Sequence, residues 1–189
     1  MTTSVFLDQL YTKFLFRTPD AEGKAYWIEK LDTSSVTAEQ ATLSFINSTE
    51  YQSTAAALTK LYFQVFDRIP DHEGLTYWVE SMHQGQSLQD IANSFVQSTE
   101  FAQKYANATT DSEFLDTLYQ HALGRGSDDE GKAYWLGKMS EGFSQANVIT
   151  SFAASDEFDT LKGNDVQISA IYHGILNRSP TANELASAA

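Results

Sequence analysis

The stretch RTPDAEGKAYW, residues 17–27, decides the fold because it returns along the chain at a regular distance. It recurs as RIPDHEGLTYW at residues 68–78 and as RGSDDEGKAYW at residues 125–135, and a fourth form begins with RSP at residues 178–180. A period of about 50 residues with fixed internal spacing is typical of repeat proteins, in which one supersecondary unit packs on copies of itself. The sequence therefore predicts three related copies and the beginning of a fourth.

The flanking elements divide the chain into four segments. A Leu-Tyr or Ile-Tyr pair precedes each arginine, and in the first three copies a Ser-Phe pair and a Ser-x-Glu-aromatic element follow the tryptophan. The predicted segments are residues 1–57, 58–110, 111–165 and, as a partial copy, 166–189. The connections between copies vary in length, the longest covering residues 102–113, so we expect them to be loops.

An apolar stripe at helical spacing opens each copy. In the second copy it consists of Leu58, Leu61, Tyr62, Val65 and Phe66, and in the fourth of Ile168, Ile171, Tyr172, Ile175 and Leu176. Residues at i, i+3, i+4, i+7 and i+8 form one helix face, which we expect to be buried. The Pro-Asp pair then predicts a second helix, capped by the aspartate, that packs Trp27, Trp78 and Trp135 on the core.

A third helix is predicted after a polar joint. Its N-caps are Thr37, Ser87 and Ser144, and Gln40 and Asp90 stand where a side chain can complete a capping box. Strand periodicity is absent from the sequence. We therefore predict an all-α fold, built as tandem three-helix repeats of about 50 residues stacked into one compact or solenoid-like unit.

Composition restricts the class of partner. The chain has 12 Lys and Arg against 25 Asp and Glu, and its formal charge of −13 repels phosphate backbones. Its apolar runs are shorter than the roughly 20 residues of a membrane-spanning helix. The absence of cysteine excludes disulfides and thiolate metal sites. We expect neither nucleic-acid binding nor membrane insertion, and the N-terminus lacks the pattern of a secretory signal peptide.

The acidic turns hold the candidate metal ligands. These candidates are Asp20, Glu22, Asp71, Glu73, Asp128 and Glu130. Neighbouring carboxylates attract calcium, but the first acidic position of an EF-hand is occupied here by threonine, isoleucine or glycine. We favour helix capping as the role of the aspartates and leave calcium open as a cofactor.

The repeated arginines and the histidines give little sign of catalysis. Arg17, Arg68, Arg125 and Arg178 could clamp an anion. We favour a structural role in which each neutralises a helix C-terminus or pairs with the nearby aspartate or the downstream glutamate. The four histidines share no position in the repeat. Since known nucleophile, zinc and phosphate-loop motifs are missing, no residue is predicted to be catalytic.

Three tyrosines are the candidate saccharide-binding residues. Tyr26, Tyr77 and Tyr134 each precede the tryptophan and lie about 100° round the second helix from it. Aromatic faces suit the apolar face of a sugar ring, and the tryptophans are assigned to the core. We therefore expect the tyrosines, half-buried with their hydroxyls in water, to contact a saccharide.

The string Arg-x-Pro-Asp-x-x-Gly-x-x-Tyr-Trp, together with Ser-Phe-x-x-Ser-x-Glu-aromatic, resembles the tandem helical repeat called domain of unknown function 4214. The third copy departs from it at Ser127, and the fourth at Thr181 and Glu184, which puts its second helix in question. The resemblance implies the setting of bacterial S-layer and RTX-type proteins, which leave the cell by type I secretion without an N-terminal signal peptide. Phycobilisome linker domains are similar at a greater distance.

The function implied by this resemblance is a non-enzymatic module at the bacterial cell surface. It would anchor a secreted protein to envelope polysaccharide, either lipopolysaccharide or capsule. Two alternatives remain: a structural scaffold or linker that contacts protein neighbours, including copies of the same surface protein, and an enzyme acting on glycans. Fold alone does not separate these three.

Overall fold

The computed structural model describes residues 1–188, so the predicted fourth segment, residues 166–189, ends one residue outside the described part. In chain order the helices are α1 (Thr3–Phe14), α2 (Ala21–Asp32), α3 (Ala38–Ile46), α4 (Thr49–Tyr51), α5 (Ala57–Phe66), α6 (His72–His83), α7 (Leu88–Val96), α8 (Thr99–Lys104), α9 (Asp111–Leu123), α10 (Asp129–Ser140), α11 (Gln145–Ala153), α12 (Asp156–Leu176) and α13 (Ala182–Ala188). A π-helical turn, Gln52–Ala56, joins α4 to α5. No strand occurs within residues 1–188, which confirms the predicted all-α class.

Capping chemistry places the third helix of each copy where it was predicted. The N-caps of α3, α7 and α11 are Thr37, Ser87 and Ser144. Each is part of a reciprocal capping box, closed by Gln40 and Asp90 as expected and by Asn147, which was not predicted. Each box satisfies two backbone N–H groups that a helix start otherwise leaves without partners.

The first helices of the four copies form the centre of the molecule. Helix α5 packs against α9, and α12 packs against α1, α5 and α9. The third helices α7 and α11 pack on each other, and α11 also contacts α5. Phe14, Leu61 and Phe114 are among the side chains fully buried there. Because α12 returns to α1, the helices close into a compact unit instead of extending as an open solenoid.

The second helices are more peripheral than their apolar pattern suggested. No residue of α2 or α10, helices that are described throughout, is fully buried, whereas α6 buries Leu75 and Val79. Trp27, Trp78 and Trp135 are half-buried and pack against the core. The apolar face of these second helices therefore points inward as predicted, but only in the second copy are some of its residues fully buried.

The connections between copies are largely helical, which corrects the expectation of loops. Residues 49–66 form one helical run through the π turn, and α12 continues without a break from Asp156 to Leu176. Between α8 and α9 the chain leaves the helix, over residues 105–110. Ser48, Ser98 and Ser155 each cap a new helix at once, so every connection begins as a helix.

The stripe of the fourth copy is mostly exposed, contrary to the prediction. Ile168 is buried, but Ile171, Ile175 and Leu176 are 42%, 54% and 51% exposed, and Tyr172 is half-buried. The residues that α12 buries in the same turns are Ala170, His173 and Gly174, which lie on another side of the helix. The large apolar residues of this helix therefore face solvent.

Close packing between α12 and α1 explains this orientation. A Cβ added to Gly174 would collide with the ring of Phe14 in α1. Only glycine allows so close an approach at this position, and Ala170, one turn earlier, is also small and 1% exposed. The small residues of α12 thus set which side faces the core.

A second helix does form in the fourth copy, although its aspartate and glycine are replaced. The backbone N–H of Thr181 donates to Glu184 Oε2 at 2.8 Å, and the backbone N–H of Glu184 donates to Thr181 Oγ1 at 3.3 Å. This reciprocal pair is a capping box at the start of α13. The doubt about this helix, based on the missing Asp and Gly, is therefore resolved.

Candidate functional site

The repeated arginines bind the repeated glutamates in the first three copies. Each guanidinium donates through Nε and Nη2 to the two carboxylate oxygens, a bidentate geometry that is strong and directional. The distances are 2.5 and 2.8 Å for Arg17–Glu50, 2.7 and 2.8 Å for Arg68–Glu100, and 2.8 and 3.0 Å for Arg125–Glu157. The pairing with the downstream glutamate, one of the expected structural roles, is present in all three.

The arginine in the fourth copy has a different partner. Arg178 donates to both carboxylate oxygens of Glu184, at 2.8 and 2.7 Å, within its own helix start. In every copy the guanidinium also lies 4.9 to 5.1 Å from the ring centroid of the tyrosine six residues earlier. Hydrogen bonding to Arg68 lowers the pKa of Glu100, which keeps that pair ionised. The arginines are thus occupied, and an anion would have to displace a carboxylate.

The repeated aspartates cap the second helices, as expected. Asp20, Asp71 and Asp128 are the N-caps of α2, α6 and α10, and each carboxylate accepts from the glycine N–H three residues later at 2.7 Å. The hydrogen bonds from Gly23 and Gly131 are the main cause of the lowered pKa values of Asp20 and Asp128.

Glycine is favoured in this turn because a tyrosine hydroxyl lies against it. A Cβ on Gly23 would be 2.5 Å from Tyr11 Oη, and one on Gly74 would be 3.1 Å from Tyr62 Oη. In the second copy Trp78 Nε1 also donates to Tyr62 Oη, at 3.2 Å. The Asp-x-x-Gly turn, the tyrosine and the tryptophan therefore form one packed unit.

Each of the first three copies contains the same chain of aromatic contacts. A tyrosine meets a phenylalanine edge to face, the phenylalanine meets the tryptophan, and the tryptophan meets the tyrosine before it in sequence. In the first copy these contacts join Tyr11, Phe45, Trp27 and Tyr26, with ring centroids 4.9, 5.4 and 5.4 Å apart. In the second and third copies the same contacts have centroid distances of 4.9, 5.5 and 4.8 Å, and of 4.9, 5.4 and 5.0 Å.

The candidate saccharide-binding residues are the exposed ends of these chains. Tyr26, Tyr77 and Tyr134 are 54%, 61% and 57% exposed, more than the half-burial expected. Lys30 Nζ lies 5.5 Å from the ring of Tyr26, and Lys138 Nζ lies 5.9 Å from that of Tyr134. Each tyrosine ring meets its tryptophan edge to face, so each of the first three copies presents an aromatic ring with this contact, although Ser81 stands near Tyr77 where the other two copies have a lysine.

A small recess lies beside this unit in the first copy. It encloses about 180 Å³ and is lined by Tyr11, Leu15, Arg17, Trp27, Ser44, Phe45, Ser48 and Glu50. Its charged groups are already paired with each other, and its volume is below the roughly 300 Å³ of ordinary ligand pockets. It is therefore smaller than an ordinary ligand pocket, and its acid and its base are already paired with each other.

The acidic turns do not assemble a metal centre. Among residues 1–188 no group of three or more His, Asp or Glu side chains is placed to hold an ion. The carboxylates of Asp20, Asp71 and Asp128 are engaged by backbone N–H groups, and Glu22 and Glu73 are exposed in the first turns of their helices. Glu130 is exposed in the same way.

Two histidines that share no sequence position meet in the core. The rings of His72 and His173 stack with centroids 5.8 Å apart. Burial, with a smaller contribution from His72, lowers the pKa of His173 to about 4. Because the two histidines are about 100 residues apart, no local sequence pattern predicts this contact. The pair is part of the packing of the fold and is separate from the three candidate saccharide-binding tyrosines.

Membrane insertion finds no support in the helices. Within the described part of the chain, none of them combines the length and the apolarity needed to cross a bilayer. The longest, α12, runs from Asp156 to Leu176 and carries acidic residues in its first turn.

Comparison with protein families gives a match over residues 1–55 and 92–162. The second of these stretches contains most of the third copy, and the RIPDHEGLTYW stretch of the second copy lies outside both. Neither the curated proteins nor the solved structures include a match to this chain. Since the matched residues make up more than half of the chain, it belongs to the family described as "Domain of unknown function (DUF4214)".

Proposed function

We propose that this domain is a non-enzymatic binding module for envelope polysaccharide, such as lipopolysaccharide or capsule, and that it anchors a secreted protein at the bacterial cell surface. The observation that carries the proposal is the recurrence of an exposed tyrosine, Tyr26, Tyr77 or Tyr134, against a half-buried tryptophan in three copies. Arginine, aspartate, glycine and tryptophan recur because they hold the fold. The exposed tyrosines have no comparable structural task.

A polymer of repeating sugars is a suitable partner for repeated weak sites. Stacking of one ring on one tyrosine gives little affinity, but several such contacts on one chain multiply through effective concentration. The tyrosines are preorganised because each packs edge to face against its tryptophan, so binding orders few side chains. The formal charge of −13 disfavours anionic polysaccharide unless a divalent cation such as calcium bridges the like charges.

The direct test is binding of purified lipopolysaccharide and capsule to native protein and to tyrosine variants. Each single change, Tyr26→Ala, Tyr77→Ala or Tyr134→Ala, should weaken binding only a fewfold. The triple variant should lose far more affinity than any single variant, because the gain from binding one polymer at several sites is lost with it. Calcium should strengthen binding to anionic polysaccharide, and a chelator should release it.

Matched controls separate lost contacts from lost folding. Leu43→Ala and Leu161→Ala change side chains that are 48% and 51% exposed but lie outside the tyrosine set. All variants should keep the helical circular dichroism of the native protein and stay within about 0.5 kcal/mol of its stability per substitution. Equal binding by native protein and the triple variant, or no binding with or without calcium, would exclude the proposal.

A further inference from the structure

A larger cavity lies where the first, second and fourth copies meet. It encloses about 570 Å³, within the range of ordinary ligand pockets, whereas the recess in the first copy encloses about 180 Å³. Its walls are the end of α1, one face of α6 and the residue that caps the C-terminus of α12. None of the three exposed tyrosines lines it. We call it the joint cavity; its lining includes Lys13, Phe16, His72, Thr76, Glu80 and Asn177.

The lining of the joint cavity departs from the repeat. His72, Thr76 and Glu80 are four residues apart and form one face of α6. The first copy has alanine at the positions of His72 and Thr76, and the other copies have glutamine, histidine or glycine at the position of Lys13. The side chains that hold each unit together recur from copy to copy. These polar groups do not recur, so the packing of the repeat does not account for them.

Phe16 is a bulky residue at a backbone position that favours small or polar ones. Its φ of 53° is left-handed, and so are those of its equivalents in the other copies, Asp67, Gly124 and Asn177, at 49°, 65° and 50°. Glycine, asparagine and aspartate adopt this region at low cost, whereas a large aromatic residue is strained in it. Backbone strain of this kind is concentrated at ligand sites, and Phe16 lies in the wall of the joint cavity.

The joint cavity also brings together polar groups that the protein itself does not use. Lys13 Nζ has no ion-pair or hydrogen-bond partner among residues 1–188, although most of the lysines and arginines there are paired. The carboxylate of Glu80 and the hydroxyls of Thr12 and Thr18 are also without a partner in that part of the chain. One ammonium and one carboxylate balance in charge. The cavity therefore suits an uncharged ligand that both donates and accepts hydrogen bonds.

We propose that the joint cavity binds a single neutral sugar unit; the class of ligand rests on the proposed function, whereas the site is separate from the three tyrosines. The ring of Phe16 offers a surface to the apolar face of the sugar. Lys13 donates to sugar hydroxyls, and Glu80 accepts from them. Arg17 also lines the cavity, but Glu50 neutralises its charge. A neutral sugar is favoured over an acidic one because the whole chain carries a formal charge of −13.

The test titrates glucose, galactose, mannose and N-acetylglucosamine into protein with labelled threonine methyl groups. Because small ligands gain limited affinity per atom, a single sugar should bind with a millimolar dissociation constant, and titration to about 50 mM covers this range. With at least one sugar, the methyl signals of Thr12, Thr18 and Thr76 should shift in a saturable manner. That of Thr110, outside the lining, should not. Glucuronic acid should bind more weakly than glucose.

Protein variants show whether the joint cavity is the site. Phe16→Gly should weaken sugar binding about tenfold or more, and it should fold because Gly124 has the same backbone conformation in the third copy. Ser34→Gly is its matched control: it relieves a φ of 56° outside the lining and should leave binding unchanged. Lys13→Met and Glu80→Gln should each weaken binding about tenfold, because each removes a hydrogen bond to a charged group.

The triple tyrosine variant separates this proposal from the proposed function. It should bind the single sugar as native protein does, so a failure of the tyrosine sites leaves this result unchanged. Threonine shifts that Phe16→Gly abolishes and Ser34→Gly preserves support the joint cavity, whether or not the tyrosines bind polysaccharide. The proposal is overturned by the absence of a saturable shift with all four sugars, by shifts that persist in Phe16→Gly, or by shifts that the triple tyrosine variant loses.

Discussion

Acid should destabilise this protein through His173 well before its carboxylates titrate. The imidazole is 2% exposed in the core beside His72. Burial is the main reason that its pKa falls from 6.5 to about 4; the charge of His72 lowers it further, and Asp71 opposes both. Between these two values the unfolded chain binds a proton that the folded chain excludes. The contribution of His173 to the free energy of unfolding is therefore fully present above pH 6.5 and is lost as the pH falls toward 4.

The size of the effect follows from the pKa difference. Each unit of pH below the unfolded pKa costs about 1.4 kcal/mol until the folded pKa is reached. Acidification from pH 7 to pH 5 spans about 1.5 such units and should remove about 2 kcal/mol. Most carboxylates remain ionised in both states above pH 5, so this window isolates the histidine contribution.

Urea unfolding at pH 7, 6 and 5 measures this loss in native protein, in His173→Gln and in His83→Gln. Native protein and His83→Gln, which alters an exposed histidine, should lose the same free energy of unfolding. His173→Gln should lose much less, the remainder arising from His121, whose pKa burial also lowers. An equal loss in His173→Gln and native protein would refute the assignment.

Three further outcomes test the motif. Gly131→Ala should lower the free energy of unfolding by about 1–3 kcal/mol, because the added Cβ meets a tyrosine hydroxyl. Gly137→Ala, in open space on the same helix, should raise it by about 0.5–1 kcal/mol, and thermal melts of both variants test this. Asp71→Ala should cost about 1 kcal/mol as a lost cap, and an effect that appears only with calcium would instead indicate a metal site. A double-mutant cycle on Arg68 and Glu100 should give a coupling of about 1 kcal/mol or less that shrinks in high salt, since both side chains are partly exposed; a coupling above about 3 kcal/mol would contradict this.

The features predictable from sequence are those set by a few neighbouring residues. Asp20 and Thr37 cap helices because their side chains reach backbone N–H groups three residues on, and this chemistry is visible in the sequence. The pairing of Arg17 with Glu50 was also foreseen as one alternative, because both recur together in every complete copy. The repeat thus made it possible to predict a contact between residues that are far apart in sequence.

Contacts between copies could not be foreseen in the same way. The stacking of His72 on His173 joins positions that do not correspond in the repeat, so no internal comparison indicates it. The π turn over Gln52–Ala56 is similarly hidden, because residues 49–66 contain no glycine or proline that would mark an irregularity in the helix. The exposure of Tyr26 was underestimated since α2 lies further from the core than its apolar pattern suggests.

The orientation of α12 shows how two apolar signals in one helix compete. Large residues such as Ile171 and Ile175 predict a buried stripe, but burial requires a facing helix. Ala170 and Gly174, small residues four positions apart on another side, predict close helix contact instead, and α1 fills that role through Phe14. Since close backbone approach fixes the angle of a helix more tightly than a stripe without a partner does, the small residues determine the packing. The large residues are then left on the surface.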